Sequence, residues 1–173
     1  MTFPSFLAGQ TVTAALLNAG KWEFVTNASD QSNTLTTFVD ATSLGFAVEA
    51  NARYRARALI AYNAPEPDAN GDINFQWTGP ADVTMTRRIT GLALTNTTNI
   101  DANFMSVARS LGTDVRVGGT TAPGTDNAFT LYEDVLDVRV ITAGTIQLQF
   151  ALGAGAGTAT VKAASLLWYQ RVQ

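Results

Sequence analysis

The chain has 173 residues, 46% hydrophobic and 14% charged, a formal net charge of -3, and neither cysteine nor histidine. This is enough chain for one domain with its own core. It excludes disulfides, Cys- and His-ligated metal centres, hydrolase triads and imidazole acid/base catalysis. There is no basic excess to meet nucleic-acid phosphates and no run of about 18 apolar residues to span a membrane. The expectation is therefore a non-enzymatic protein without cofactor, metal, nucleic-acid or membrane partner. Its charged fraction, about half of the ~25% usual in globular domains, leaves uncharged surface suited to contact with neighbouring chains.

Residues 1 to 20 differ in composition from residues 21 to 173 and read as an arm preceding a single domain. The arm lacks a basic start and a continuous apolar segment, so no signal peptide is expected. Thr13 can cap a short helical turn that Gly20 ends in a left-handed conformation. Helices below about 12 residues rarely persist alone in water. Phe3, Phe6, Leu7, Val12, Leu16 and Leu17 therefore need an apolar partner, either the chain's own sandwich or another protein, and form the candidate partner-binding set.

From residue 21 the pattern has period two, punctuated by turn residues. Trp22 and Phe24 open it, and two short strands follow at 35 to 39 and 44 to 48. The clearest strand covers 52 to 62, with Tyr54, Ala56, Ala58, Ile60 and Tyr62 on one face and Arg53, Arg55 and Arg57 on the other. Residues 63 to 71, with Pro65, Pro67 and Asn70-Gly71, read as a hairpin connection, making the strand of Ile73, Phe75 and Trp77 the partner of 52 to 62. After a turn at 79 to 82, strands are expected at 83 to 87 and 89 to 94. Phe104, Met105 and Val107 suit an edge strand or a helical turn, 115 to 117 a strand, and 118 to 127 a loop. Strands at 129 to 132, 135 to 141, 145 to 152 and 158 to 169 close the chain, separated by glycine or acidic turns. Nine or more short strands with almost no helix give an all-β fold, an antiparallel two-sheet β-sandwich of jelly-roll-like type.

Few motifs suggest chemistry. Asp68, Asn70 and Asp72 have the spacing that opens a calcium loop, but Ile73 stands where that loop needs glycine and Gly79 where it needs glutamate. A hairpin turn is the better reading. The glycines at 153, 155 and 157 precede a strand, not the helix a phosphate loop requires. Glu133, Asp134 and Asp137 invite comparison with a glycosidase pair, but Glu133 and Asp134 are adjacent, so on a strand they point apart and cannot form it; the group reads as a solvated turn. The Arg53, Arg55, Arg57 row, with Arg87 and Arg88 near it, reads as solvated or cross-strand paired, with an anionic glycan, an acidic neighbour or, against the net charge, a nucleic acid as the functional alternatives. Trp22, Trp77 and Trp168 sit at apolar positions and read as core, with a sugar platform as the alternative.

Three separated stretches carry a family resemblance. FPSFLAGQTVTAALLN at 3 to 18 is similar to the F-x-A-G-x-x-(V/L)-T-A-A-x-L-N start of virion proteins of tailed phages, especially those of actinobacteria. ANARYR at 50 to 55, GDI at 71 to 73 and WTGPADVTM at 77 to 85 resemble their "ANATYR … GD(I/L) … W-x-x-P-x-G-A-T-M" core. GTIQLQFA at 144 to 151 and TVKAASLL at 160 to 167 resemble their closing strands. Residues 95 to 127 match no part of the pattern. The resemblance implies a virion structural protein, a β-sandwich assembled as a homotrimer and made in the host cytoplasm. A short chain with one sandwich, one arm and no coiled-coil or repeat shaft favours a capsid decoration (cement or head-fibre) protein on the outer surface of the major capsid protein. The alternative is a minor tail or receptor-binding subunit, with a host-surface glycan as its partner.

Overall fold

The computed structural model of the chain describes residues 8, 9, 11, 21–64, 72–92, 104–118, 130–153 and 157–172. Among these lie twelve strands: β1 (Glu23–Thr26), β2 (Gln31–Asn33), β3 (Val39–Val48), β4 (Ala52–Asn63), β5 (Asp72–Thr78), β6 (Thr84–Leu92), β7 (Phe104–Ser110), β8 (Val115–Gly118), β9 (Thr130–Val140), β10 (Gly144–Leu152), β11 (Ala159–Val161) and β12 (Leu166–Arg171). An eight-stranded sheet has the order β1-β12-β4-β9-β6-β7, with β11 also paired to β4 and β2 to β11; a four-stranded sheet has the order β3-β10-β5-β8. All pairings are antiparallel.

Among the described strands, only one sequence-consecutive pair, β6 and β7, is hydrogen-bonded together. Most other connections carry the chain across to the opposite sheet. From β3 to β10 the strands alternate so that 3-10-5-8 faces 4-9-6-7, the order produced by two interlocked Greek keys. This is a jelly roll, to which β1, β2, β11 and β12 add material at the β4 edge.

Alternation explains which residues fill the space between the sheets. In β9, Tyr132, Asp134, Leu136, Val138 and Val140 point inward while Leu131, Val135 and Arg139 are exposed. Trp77, Tyr62, Tyr132, Phe75 and Phe150 are the largest fully buried apolar side chains. Phe75 from the smaller sheet stacks on Tyr132 at 4.7 Å between ring centroids and meets Tyr62 edge-on at 5.5 Å, geometries that aromatic quadrupoles favour.

The faces of β4 and β5 match the sequence reading, but several pairings differ from it. β4 lies between β9 and β12, whereas the strand of Ile73, Phe75 and Trp77 belongs to the other sheet, between β10 and β8. The connection expected to be a hairpin is therefore a crossover; its residues 65 to 71, including most of the Asp68 to Asp72 turn, lie outside the described residues. The strands expected at 129 to 132 and 135 to 141 are one, β9, running straight through Glu133 and Asp134. Those at 83 to 87 and 89 to 94 likewise merge in β6. Residues 35 to 37 are bends and Leu35 is exposed, so the strand there begins only at Val39. Of the two readings of 104 to 107, the edge strand is the one that forms, as β7.

β11 and β12 lie end to end along β4, and the break between them is filled by side chains. The Ser165 hydroxyl accepts from the Ala61 N–H at 3.0 Å and donates to the Ala61 carbonyl at 3.1 Å, restoring the ladder where β-pairing lapses. On the other side Asn27, only 3% exposed, donates its backbone N–H to the Ser165 carbonyl and its side-chain amide to the carbonyls of Ser29 and Lys162. Ser165→Ala leaves the buried Ala61 N–H without its partner. We expect it to lower unfolding free energy by about 1–3 kcal/mol, read as a lower urea midpoint; an unchanged midpoint would contradict this role.

A second irregularity fixes β3 against β10. Gln147 pairs with Gly45 but Gln149 with Asp40, so four residues of β3 bulge out, and the Gln147 amide caps the carbonyls of Ala41 and Leu44 at 2.7 and 3.3 Å. A Cβ at Gly45 would stand 2.9 Å from the Ile146 carbonyl oxygen, so only glycine fits this approach.

Candidate functional site

Two places among the described residues bring charged and tryptophan side chains together. The first is inside the sandwich. Arg87 on β6 and Asp134 on β9 are both 0% exposed and form an ion pair at 2.7 Å. Asp134 Oδ2 also accepts from Arg87 Nε, from the Tyr132 hydroxyl and from Trp77 Nε1 of the opposite sheet, each at 2.9 Å. Arg87 donates further to the Tyr132 hydroxyl at 2.7 Å and to the Thr113 carbonyl, between β7 and β8, at 2.8 Å. Burial pushes the Asp134 carboxyl above the usual carboxylate range, against the pull of Arg87, Trp77 and Tyr132. Burial likewise raises the Tyr132 phenol. At Arg87 burial works against the charge, but Tyr132 and Asp134 outweigh it and keep the guanidinium protonated. Perturbed carboxyls often mark active sites, but here Trp77, Arg87, Tyr132 and Asp134 are all fully buried between the two sheets. The set acts as an ionic latch joining the layers. This corrects two expectations: Asp134 is not a solvated turn residue, and Arg87 does not join the outer arginine row. The signal was present, since Asp134 shares parity with Tyr132 and Leu136, and Arg87 with Met85 and Ile89.

The second place is the outer face of the eight-stranded sheet. The registers align Phe24, Trp168, Arg57, Val135 and Arg88 in one row across β1, β12, β4, β9 and β6. Phe24 is 68% and Val135 43% exposed. Trp22, Arg57 and Trp168 line a shallow recess of about 230 Å³. Of the three tryptophans expected in the core, only Trp77 is there; Trp22 is 40% exposed and Trp168 half-buried. Outward positions of β4, β9 and β6 carry Arg53, Arg55, Arg57, Arg139 and Arg88 against Glu133 and Asp137. Arg53 holds Asp137 through Nε at 2.9 Å, and this bond keeps the carboxyl below its usual range. Arg57 Nε holds Glu133 Oε1. The expected cross-strand pairing of the arginine row is thus realised for two of its members.

Phe3, Phe6, Leu7, Val12, Leu16 and Leu17 all lie outside the described residues. Among the described residues no group of three or more acidic, His or Cys side chains is placed to hold a metal.

No protein-family model matches the chain, and no curated protein matches it. Among solved structures it is similar to the tripod from the baseplate of bacteriophage Tuc2009, at 10% identity and a TM-score of 0.35 over 99% of this chain and 75% of that one. It is also similar to the VP2 subviral particle of infectious bursal disease virus, at 8% identity and a TM-score of 0.22 over 88% of this chain, which spans 37% of that one. Scores this low carry no argument, so the jelly-roll assignment rests on strand order alone.

Proposed function

We propose that the chain is a non-enzymatic structural protein of a tailed-phage virion, a trimeric capsid decoration protein seated on the outer surface of the major capsid protein. The observation that carries this reading is the ordered set of sequence resemblances and where they fall. Residues 50 to 55 form the turn into β4, 77 to 85 the crossover from β5 to β6, 144 to 151 most of β10, and 160 to 167 the junction of β11 and β12. The first three are framework elements of the jelly roll and the fourth lies in the strands added at its β4 edge; viral capsid domains are among the users of this fold, but fold alone does not imply function, so the resemblance carries the weight. The non-enzymatic part is supported by Asp134, whose carboxyl is buried between the sheets and held through Oδ2 by Arg87, Tyr132 and Trp77.

Counting copies in purified virions by quantitative mass spectrometry tests the reading: hundreds are expected, and a handful would move the protein to the tail. Light scattering is expected to give three times 18.3 kDa. Deleting residues 1 to 20 is expected to leave a folded sandwich that no longer co-sediments with undecorated heads. Six large apolar side chains, each worth roughly 1.5–3 kcal/mol when buried, are then lost from the contact. A folded truncation that still binds removes the anchor role. The runner-up, a minor tail or receptor-binding subunit, is favoured by the exposed recess at Trp22 and Trp168.

A further inference from the structure

We infer that the recess between Trp22, Arg57 and Trp168 binds a saccharide ring bearing a carboxylate. Its volume of about 230 Å³ lies below the ~300–1,000 Å³ of sites for drug-sized ligands, so it accepts one ring at a time. The walls suit a pyranose. The negative π-faces of tryptophan attract polarised C–H groups, and the hydroxyls on the ring's rim need donors and acceptors nearby. Arg57 and Glu133 supply both. The pair uses only Arg57 Nε and Glu133 Oε1, which leaves the terminal nitrogens of the guanidinium and Glu133 Oε2 without protein partners among the described residues. Arg57 is thereby held in place by its carboxylate partner while its free edge faces solvent, with 59% of its side chain accessible. That edge matches a carboxylate in bidentate fashion.

Charge selects the ligand further. Five arginines against two carboxylates leave this face net positive, and Arg88 stands next along the row beyond Val135. A neutral ring gains stacking and hydrogen bonds to its hydroxyls, and an anionic ring adds the charge-assisted pair with Arg57. An apolar peptide would leave the Arg57 edge unused. The inference is independent of whether the protein sits on the capsid or the tail.

The test uses the full chain labelled for the indole N–H resonances of its three tryptophans, titrated with methyl glucuronide and, separately, methyl glucoside. The Trp22 and Trp168 signals are expected to shift saturably with the glucuronide and about tenfold more weakly with the glucoside. Trp77, buried and bonded to Asp134, should not move. Arg57→Gln is expected to erase the preference, and Trp168→Ala to erase binding of both sugars. Equal affinity for the two sugars overturns the inference, as does the absence of any shift at the highest soluble concentrations. Binding that survives Trp168→Ala but vanishes with salt overturns it too, since general attraction to the arginine face then suffices. A Trp168→Ala protein that falls from trimer to monomer makes the face a subunit contact instead. Should that variant not fold, Arg57→Gln and Trp22→Ala decide by the same readout.

Discussion

Asp134→Ala is expected to lower unfolding free energy by about 3–5 kcal/mol, a large fraction of the ~5–15 kcal/mol that stabilises a typical domain. The substitution strands a guanidinium with no exposure between two sheets and removes the acceptor of the Tyr132 hydroxyl and the Trp77 indole N–H. Most of the loss is the uncompensated charge of Arg87, not the intrinsic worth of the pair. Replacing both members together, Arg87→Met with Asp134→Leu, should therefore recover the part due to the stranded charge, leaving the loss from the Trp77 and Tyr132 donors without an acceptor. Urea unfolding of the two single variants and the double variant forms a cycle that separates these terms. A single-variant loss under about 1 kcal/mol, below the range for an orphaned buried hydrogen-bonding group, would mean that water reaches the latch.

Phe46→Ala is expected to cost about 3–5 kcal/mol, at a place that shares no partner with the latch. Phe46 on β3 is 3% exposed and stacks on Tyr169 of β12 at 4.6 Å, with Tyr54 of β4 tilted against it at 5.8 Å. It contributes to the contact between β3 of the smaller sheet and β12, one of the strands added at the β4 edge. Losing the ring leaves a cavity bounded by two tyrosines. Their hydroxyls are engaged by Glu23 and by the Glu49 backbone N–H, which restrains them from collapsing inward. A thermal melt of Phe46→Ala should fall well below that of Phe46→Leu, which fills most of the space. Equal melts for the two variants would show that the ring geometry contributes nothing, and the double variant with Asp134→Ala should show additive losses.

Much of this architecture is legible in the chain. Period-two alternation assigns the faces of β4, β5, β9 and β10, because a pleated strand sends successive side chains to opposite sides whatever its neighbours are. Where charged residues interrupt an apolar strand the sequence misleads. Glu133-Asp134 resembles a turn by composition, but Asp134 keeps inward parity and its charge is tolerated because Arg87, Tyr132 and Trp77 converge on it from β6, β9 and β5. No local window contains all four. Trp168 misleads in the opposite sense: with Leu166 and Leu167 beside it, hydrophobicity gives no parity, and only the pairing with Phe24 and Arg57 puts it on the outer face.

The sequence by itself determined the all-β class, the outward arginine row and the exclusion of thiol and imidazole chemistry, because these follow from residue identities and from a periodicity intrinsic to the strand. The tertiary structure alone decided that β4 pairs with β9 and β12 and not with β5, that Ser165 and Asn27 mend the gap between β11 and β12, and that Trp22, Arg57 and Trp168 meet at one recess. Strand partners in a jelly roll are joined by long excursions across the sandwich, and pairing across such distances is selected by how well both sheets close over one core. Alternation carries no record of that choice.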